Sequence, residues 1–419
     1  MTMRIRVGLV LMLALAMLGL ASCDHYTCQA TFGASTCTGG QLTLGQSGGG
    51  PTTSAFVFAV DSGSNGTNGT IDGFTVDSSS DTFQAISGFT GPTLPLNDGG
   101  VGMAVAQSQF LYAGIAGELY GWSISSSGAL TAVNGSPYAA SFLDNFLVSP
   151  GEAYMIANPA GTVLYISSQA TNQIYAYSIG SGGVLTAVAG SPFTASFSLG
   201  FGPNNLAIDG LGKYLYASNG DASTHTASQV LTYSIGSGGA LTQVGSAVTL
   251  SMWLLKGEPT GKFMIGTSGN NLSFSGRDDL NLYVFNIGSN GTLTESASAT
   301  TIYSPWNIAV QSNSGGDLVY SFSFNDTDTA FNPPEGFQIE SNGTLQMLSS
   351  SPFSGLTNGS WGQFDQSGTL LVDWANYTSN GVSVTTLTPF AVGSGGLLTQ
   401  PFGTLDLNNP GFWVVTDPQ

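Results

Sequence analysis

One short pattern of apolar and polar positions returns along this chain about every fifty residues. Tyr175-Ala-Tyr-Ser-Ile-Gly-Ser-Gly-Gly-Val-Leu-Thr186 is nearly repeated by Leu231-Thr-Tyr-Ser-Ile-Gly-Ser-Gly-Gly-Ala-Leu-Thr242. The aromatic of this unit recurs at Trp122, Tyr177, Tyr233, Phe285, Phe337 and Phe390, and a leucine follows eight residues later at Leu130, Leu185, Leu241, Leu293, Leu345 and Leu398. A seventh, degenerate copy runs from Phe74 to Phe83 and is one residue longer. Counted from Phe74, successive aromatics are 48, 55, 56, 52, 52 and 53 residues apart. Within each unit large and small polar residues alternate, the period of a strand with one buried face. The Gly-Ser-Gly-Gly or Ser-Asn-Gly that follows supplies the positive φ of a tight hairpin.

Upstream of each unit lies another strand behind a short Gly-containing turn, as in Asp209-Gly-Leu-Gly-Lys-Tyr-Leu-Tyr-Ala217. Before that comes a short apolar strand such as Leu206-Ala-Ile208 or Ile308-Ala-Val310. Four antiparallel strands per repeat, A to D, and seven repeats predict an all-β fold, a seven-bladed β-propeller. An open solenoid would need capping units at its ends. Here the first repeat has a B strand at 55–60 but no A strand, whereas the chain ends on Phe412-Trp-Val-Val-Thr416 with nothing after its turn. The last strand is therefore expected to complete the first blade, which closes the ring and removes exposed edges.

The consensus shown by Tyr175 to Phe193, ending Ala189-Gly-Ser-Pro-Phe193, resembles that of the lactonase-type seven-bladed propellers, a family that includes 6-phosphogluconolactonases. The resemblance spans about residues 51–417 and implies the fold. The matching positions build blades, so for activity it implies a lactone hydrolase only as an alternative.

The N-terminus changes the picture of location. A basic start (Arg4, Arg6), an apolar run from Val7 to Leu20 and then Ala21-Ser22-Cys23 have the layout of a secretory signal. Leu20-Ala21-Ser22-Cys23 resembles the bacterial lipobox, which implies cleavage before Cys23 and its lipidation. The expected organisation is a signal peptide at 1–22, a Gly/Ser-rich tether at 23–50 and a propeller at 51–419. The protein is then exported and lipid-anchored in the cell envelope, on its periplasmic or surface side. Cys28 and Cys37 are the only other thiols and would form a disulfide within the tether.

Cleavage leaves four basic residues, Lys213, Lys256, Lys262 and Arg277, against 24 acids, a net charge of −20. Nucleic acid is excluded as a partner, because its binding rests on clustered cations. Anionic headgroups would repel this surface, so only the lipid on Cys23 engages the membrane. A phosphorylated sugar also calls for several Arg or Lys side chains. A neutral lactone is the substrate that the resemblance leaves open. No cofactor is indicated, and a monomer is expected.

Length variation falls in the B–C loops, notably 218–229, 267–280, 322–335 and 374–386, and marks that face as the working one. His225, the only histidine of the propeller, would be a general base oriented by Asp221, or a solvated loop histidine, which is the plainer reading. Arg277-Asp278-Asp279 would hold a carboxylate or a cation, or compensate itself. Asp326 and Asp328 flank Thr327, and Asp61, Asn65 and Asp72 fall at positions one, five and twelve of an EF-hand-like spacing, which suggests calcium. Against calcium stand Gly63 at position three, Asp instead of Glu at twelve, and no flanking helices. Trp253, Trp306, Trp361 and Trp374 would stack on sugars, or pack between blades, which the residues favour. No Gly-x-Ser-x-Gly elbow or metal-ligand cluster is present. The leading expectation is a binding or scaffolding protein for a glycan, a peptide or an envelope partner. Cys23→Ser should move the protein from the membrane to the soluble fraction on cell fractionation, and an unchanged membrane fraction would remove the lipobox assignment.

Overall fold

The computed structural model describes residues 54–418, apart from 62–68, 78–81, 87, 95–101, 116, 144–154, 199–201, 220–228, 251, 253, 268–279, 314–315, 324–331, 355, 357–360, 380–381, 401–402 and 409. The signal peptide and the tether, with Cys23, Cys28 and Cys37, lie outside these residues. Among the described residues there is no α-helix, and no helix is long and apolar enough to cross a membrane.

Seven four-stranded antiparallel sheets form the seven blades of the propeller. The seven aromatics all fall in the third strand of a blade, strand C, and the six leucines each begin strand D. The eight-residue interval is the hairpin register, since Ile179 pairs with Leu185, Ile235 with Leu241 and Val392 with Leu398. In blades 4 and 5 strand D is continuous (Leu241–Thr249 and Leu293–Thr300) and absorbs one bulge. In blades 2, 3 and 6 a Ser-Pro interrupts it. The serine hydroxyl then takes the strand C N–H that strand D abandons, at 2.9 Å from Gly121 to Ser136, 2.9 Å from Ala176 to Ser191 and 3.0 Å from Gly336 to Ser351.

The first strands, A, form the inner ring: Gly102–Ala106, Met155–Ala157, Asn205–Ile208, Leu254–Gly257, Asn307–Asn313, Trp361–Phe364 and Pro410–Thr416 in blades 2 to 7 and 1. Each touches the next around the circle. The C-terminal strand pairs with the N-terminal one, Phe56 with Thr416, Val57 with Val415, Phe58 with Val414 and Ala59 with Trp413. The expected closure is what the fold shows. The sequence-based loop at 374–386 needs correction. Strands B (Leu370–Ser379) and C (Val382–Val392) of blade 7 stay paired as far as Ser379 with Val382, so this segment is a long hairpin built from β-branched and aromatic residues.

Neighbouring blades are joined by a recurring contact on the face of the A–B and C–D turns. A residue at the start of strand B, the third in blade 6, packs on the last glycine of the following blade's C–D turn: Phe110 on Gly183, Val163 on Gly239, Tyr214 on Gly291, Phe263 on Gly343 and Leu318 on Gly396. Two residues further on, tyrosine hydroxyls donate to the same carbonyls, Tyr112 to Gly183 (2.7 Å), Tyr165 to Gly239 (2.9 Å), Tyr216 to Gly291 (3.0 Å) and Tyr320 to Gly396 (2.6 Å). Burial pushes these phenols up from their ordinary value, so they remain donors.

The A–B turns carry an acceptor that folds each turn onto itself. Asp209 takes the N–H groups of Lys213 (2.7 Å) and Tyr214 (2.6 Å), Glu258 those of Thr260 (2.5 Å) and Lys262 (3.2 Å), and Asp365 those of Thr369 (3.0 Å) and Leu370 (3.1 Å). Asn158 plays this part in blade 3. At the closure, Gln366 Oε1 accepts from Ser108 (3.1 Å), Thr416 (3.2 Å) and the Asp417 N–H (3.0 Å), tying blades 7, 1 and 2. Burial, with Asp365 beside it, pushes the Asp417 carboxyl up to about 6 from 3.8.

Two outcomes follow from these contacts. At Gly239 (φ +89°) a Cβ would lie 2.7 Å from Val163, whereas at Gly238 (φ +79°) it would meet nothing within 4 Å. Gly238→Ala is expected to cost about 1–2 kcal/mol of backbone strain, and Gly239→Ala about 1–3 kcal/mol more from overpacking, read from denaturant midpoints. Because the folded-state value of Asp417 lies above the unfolded one, its contribution is complete below about pH 4 and lost as pH rises through about 6. Asp417→Asn should flatten the stability profile between those values relative to the wild type and raise stability at pH 7, measured by thermal unfolding at several pH values.

Candidate functional site

The face opposite the short turns carries the B–C loops and the D–A crossovers. Most of the candidate chemistry read from sequence falls in segments outside the described residues: His225 and Asp221, Arg277 and Asp278, Asp326 and Asp328, and Trp253. Asp61 and Asp72 are placed on paired strands of blade 1, Asp61 opposite Thr70 and Asp72 opposite Ala59. The Asp72 carboxylate receives the Thr70 hydroxyl at 3.4 Å. Among the described residues no three His, Cys, Asp or Glu side chains come together as a metal site.

The tryptophans gather. Trp361 and Trp374 face each other across strands A and B of blade 7, and Trp413 stands on the completing strand of blade 1. All three belong to the cluster between blades 7 and 1, and Trp306, on the crossover into blade 6, packs against it. Trp306 meets Trp361 edge-on with ring centroids 6.5 Å apart. Trp361, Trp374 and Trp413 are buried, so their broad faces serve packing, while Trp306 is part-exposed.

Polar side chains at the same end divide into committed and uncommitted groups. The first residue of strand C is Glu118, Gln173, Gln229 and Glu335 in blades 2, 3, 4 and 6. In blades 4 and 6 it holds the crossover that passes above it. Gln229 accepts the Ser198 N–H at 2.9 Å and donates to its hydroxyl at 2.8 Å. Glu335 accepts the N–H groups of Ile302 (2.7 Å) and Tyr303 (3.1 Å). Burial pushes the Glu335 carboxyl up, and these two N–H groups pull it down. Its role is to position backbone.

Other groups have no such commitment. Asn205 and Ser218 are cross-strand neighbours at the open end of blade 4, 3% and 2% exposed, and neither side chain makes a hydrogen bond among the described residues. Asn307 begins the inner strand of blade 6 in the same condition. Lys256 is the one cation on the described inner strands, in Leu254-Leu255-Lys256-Gly257. It has no hydrogen bond or ion pair among the described residues, and burial lowers its ammonium to about 8. Sequence reading counted Lys256 only as charge. Its signal was a cation inside an otherwise apolar strand, where unpaired charge is costly.

The arrangement therefore offers amides, hydroxyls, one ammonium and a tryptophan edge around the inner ring. The buried carboxylates of Asp209, Glu258, Glu335 and Asp365 are held by backbone N–H groups.

No protein-family profile and no curated protein matches this sequence. Solved structures do match in fold. A candidate 6-phosphogluconolactonase from Bacteroides fragilis is 16% identical with a TM-score of 0.60, over 87% of this chain and 98% of that one. One from Bacteroides uniformis is 15% identical with a TM-score of 0.60, over 87% and 99%. The periplasmic gluconolactonase of Pseudomonas aeruginosa is 13% identical with a TM-score of 0.54, over 88% and 100%. The chain thus has the fold of the lactonase-like seven-bladed propellers, and at these identities the likeness concerns fold.

Proposed function

We propose that this protein is an exported, lipid-anchored binding or scaffolding propeller that presents its loop face to a glycan, a peptide or an envelope partner, with a glycan favoured. The observation that carries this reading is the polar set at the loop end of the ring, where Glu335 is committed to the N–H groups of Ile302 and Tyr303 while the side chains of Asn205, Asn307 and Ser218 make no hydrogen bond among the described residues, together with the part-exposed Trp306. A sugar is read by such groups, polar edges for its hydroxyls and an aromatic face for its ring. The acidic mature chain, with four cations, is poorly suited to a phosphorylated ligand.

A second reading is a hydrolase acting on a neutral lactone. The periplasmic gluconolactonase of Pseudomonas aeruginosa, whose fold this chain shares, favours it and also agrees with export. In that reading His225, with Asp221, is the candidate base.

The two readings separate in one set of measurements on purified protein. The binding reading predicts no turnover of glucono-1,5-lactone or other neutral lactones above the uncatalysed rate, and retention on a glycan array that Trp306→Ala weakens by about tenfold, the effect of removing one aromatic anchor. Lactone turnover that is lost in His225→Ala would overturn it in favour of the hydrolase.

A further inference from the structure

The chain enters the propeller on the face of the short turns. Ser54, the first described residue, begins strand B of blade 1 and lies just beyond the pair Phe56 with Thr416, at the end where the completing strand runs into Asp417. Residues 23–53, with the expected lipid on Cys23, therefore join the propeller at this face and not at the loop face. A tether of that length sets no orientation by itself, so a fixed one needs a second contact elsewhere on the same face.

Blades 4 and 5 lie across the ring from blade 1, and their A–B turns touch. A Cβ on Gly210 would lie 2.3 Å from the Pro259 carbonyl oxygen, and one on Gly261 would lie 2.5 Å from Leu211 Cγ. Leu211 is nevertheless 56% exposed. Lys213 and Lys262 hold the same position in the two turns, each giving its N–H to the buried carboxylate of its own turn, Asp209 or Glu258. Both lysine side chains are exposed, and neither joins an ion pair among the described residues. In blades 3 and 7 that position is Thr162 and Thr369, so the cations are particular to this pair of turns. On the same face, beside blade 1, the C–D turn of blade 7 ends on Leu397, 44% exposed.

The net charge of −20 is unevenly divided between the two faces. The short turns of blades 2 to 5 contain no acid other than Asp209 and Glu258, which are buried. The B–C segments of blades 4, 5 and 6, which join strands at the opposite end, contain Asp221, Asp278, Asp279, Asp326 and Asp328 against the single cation Arg277. A six-residue strand such as Val163–Ser168 separates the two ends by about 20 Å. The screening length at physiological salt is about 8 Å, so a surface lying against the short turns meets the lysines and not the acids of the far end. A leucine flanked by two lysines suits the boundary of an anionic bilayer, with the apolar tip among the headgroups and the ammonium groups on phosphates. Such a contact is weak for a free protein and effective for one already held at the membrane by its lipid.

We propose that the short-turn face of blades 4 and 5, with Leu211, Lys213 and Lys262, docks on an anionic lipid surface, so that the anchored propeller stands with its loop face turned away from the membrane. The proposal rests on the lipid anchoring put forward above. It is tested with the full lipidated chain on vesicles of equimolar phosphatidylglycerol and phosphatidylethanolamine that carry an energy-transfer acceptor lipid. The donor dye is attached at Ser237→Cys, exposed on the C–D turn of blade 4, or at Thr171→Cys, exposed on the B–C turn of blade 3. The unsubstituted chain, treated alike, corrects for dye on Cys28 or Cys37. Strong transfer from position 237 and weak transfer from position 171 are expected. The difference should be lost when Lys213→Glu and Lys262→Glu are combined, on vesicles of phosphatidylcholine alone, and in about 1 M salt, where the screening length falls to about 3 Å. Thermal unfolding checks that the substituted chains are folded, and the salt series needs no charge substitution. Equal transfer from the two positions, greater transfer from 171, or a difference that survives charge reversal or salt would overturn the proposal. Sedimentation with the vesicles reads the anchor separately. A chain that stays in solution refutes the anchoring and this proposal with it, whereas one that sediments with equal transfer refutes this proposal alone.

Discussion

The pairing of the last strand with the first is the interaction on which the rest of this structure depends. Six blades receive their inner strand from the chain that immediately precedes their second strand. Blade 1 receives its inner strand, Pro410–Thr416, from the far end of the chain. Without it Phe58 and Val57 would have an unpaired edge, and Trp413 and Val415 would leave the cluster that joins blades 7 and 1. Each blade buries one face against the blade before it and the other against the blade after it. An open ring would therefore expose two sheet faces as well as two edges. Gln366 reinforces the same place by collecting three donors from blades 1 and 2.

Closure also explains how polar chemistry is distributed. On the short-turn face, polar side chains are consumed in making turns and in joining blades, so that surface is uniform and stable. Toward the loop face the side chains of Asn205, Asn307 and Ser218 make no hydrogen bond among the described residues. A buried polar group with no partner costs free energy comparable to a lost hydrogen bond. A propeller held by several repeated tyrosine and glycine contacts can tolerate such groups at one end.

Much of the architecture was legible because the repeat encodes it. The eight-residue interval from aromatic to leucine is the register of the C–D hairpin, and the missing inner strand of the first repeat alone assigns the strand at 412–416 to 55–60. The extent of blade 7 was misread, since 374–386 carries no regular spacing and its strands lengthen beyond the consensus. The site was far less legible. Asn205 and Ser218 belong to no motif and matter because of strand register and burial, which exist only after folding. Glu335 and Gln229 formed a readable column, the first residue of strand C. Its purpose emerged only with the crossovers packed above it.

The central claim is that a single ring is closed by its C-terminal strand. Denaturant unfolding of the chain truncated after Asn408, beside the full chain, tests it most directly. The closed-ring account predicts that the truncated protein loses the single cooperative transition, with a midpoint lowered by several molar-scale tenths or no folded baseline at all, because blade 1 and both of its neighbours lose partners. A truncated protein that unfolds in one transition at the full-length midpoint would contradict it.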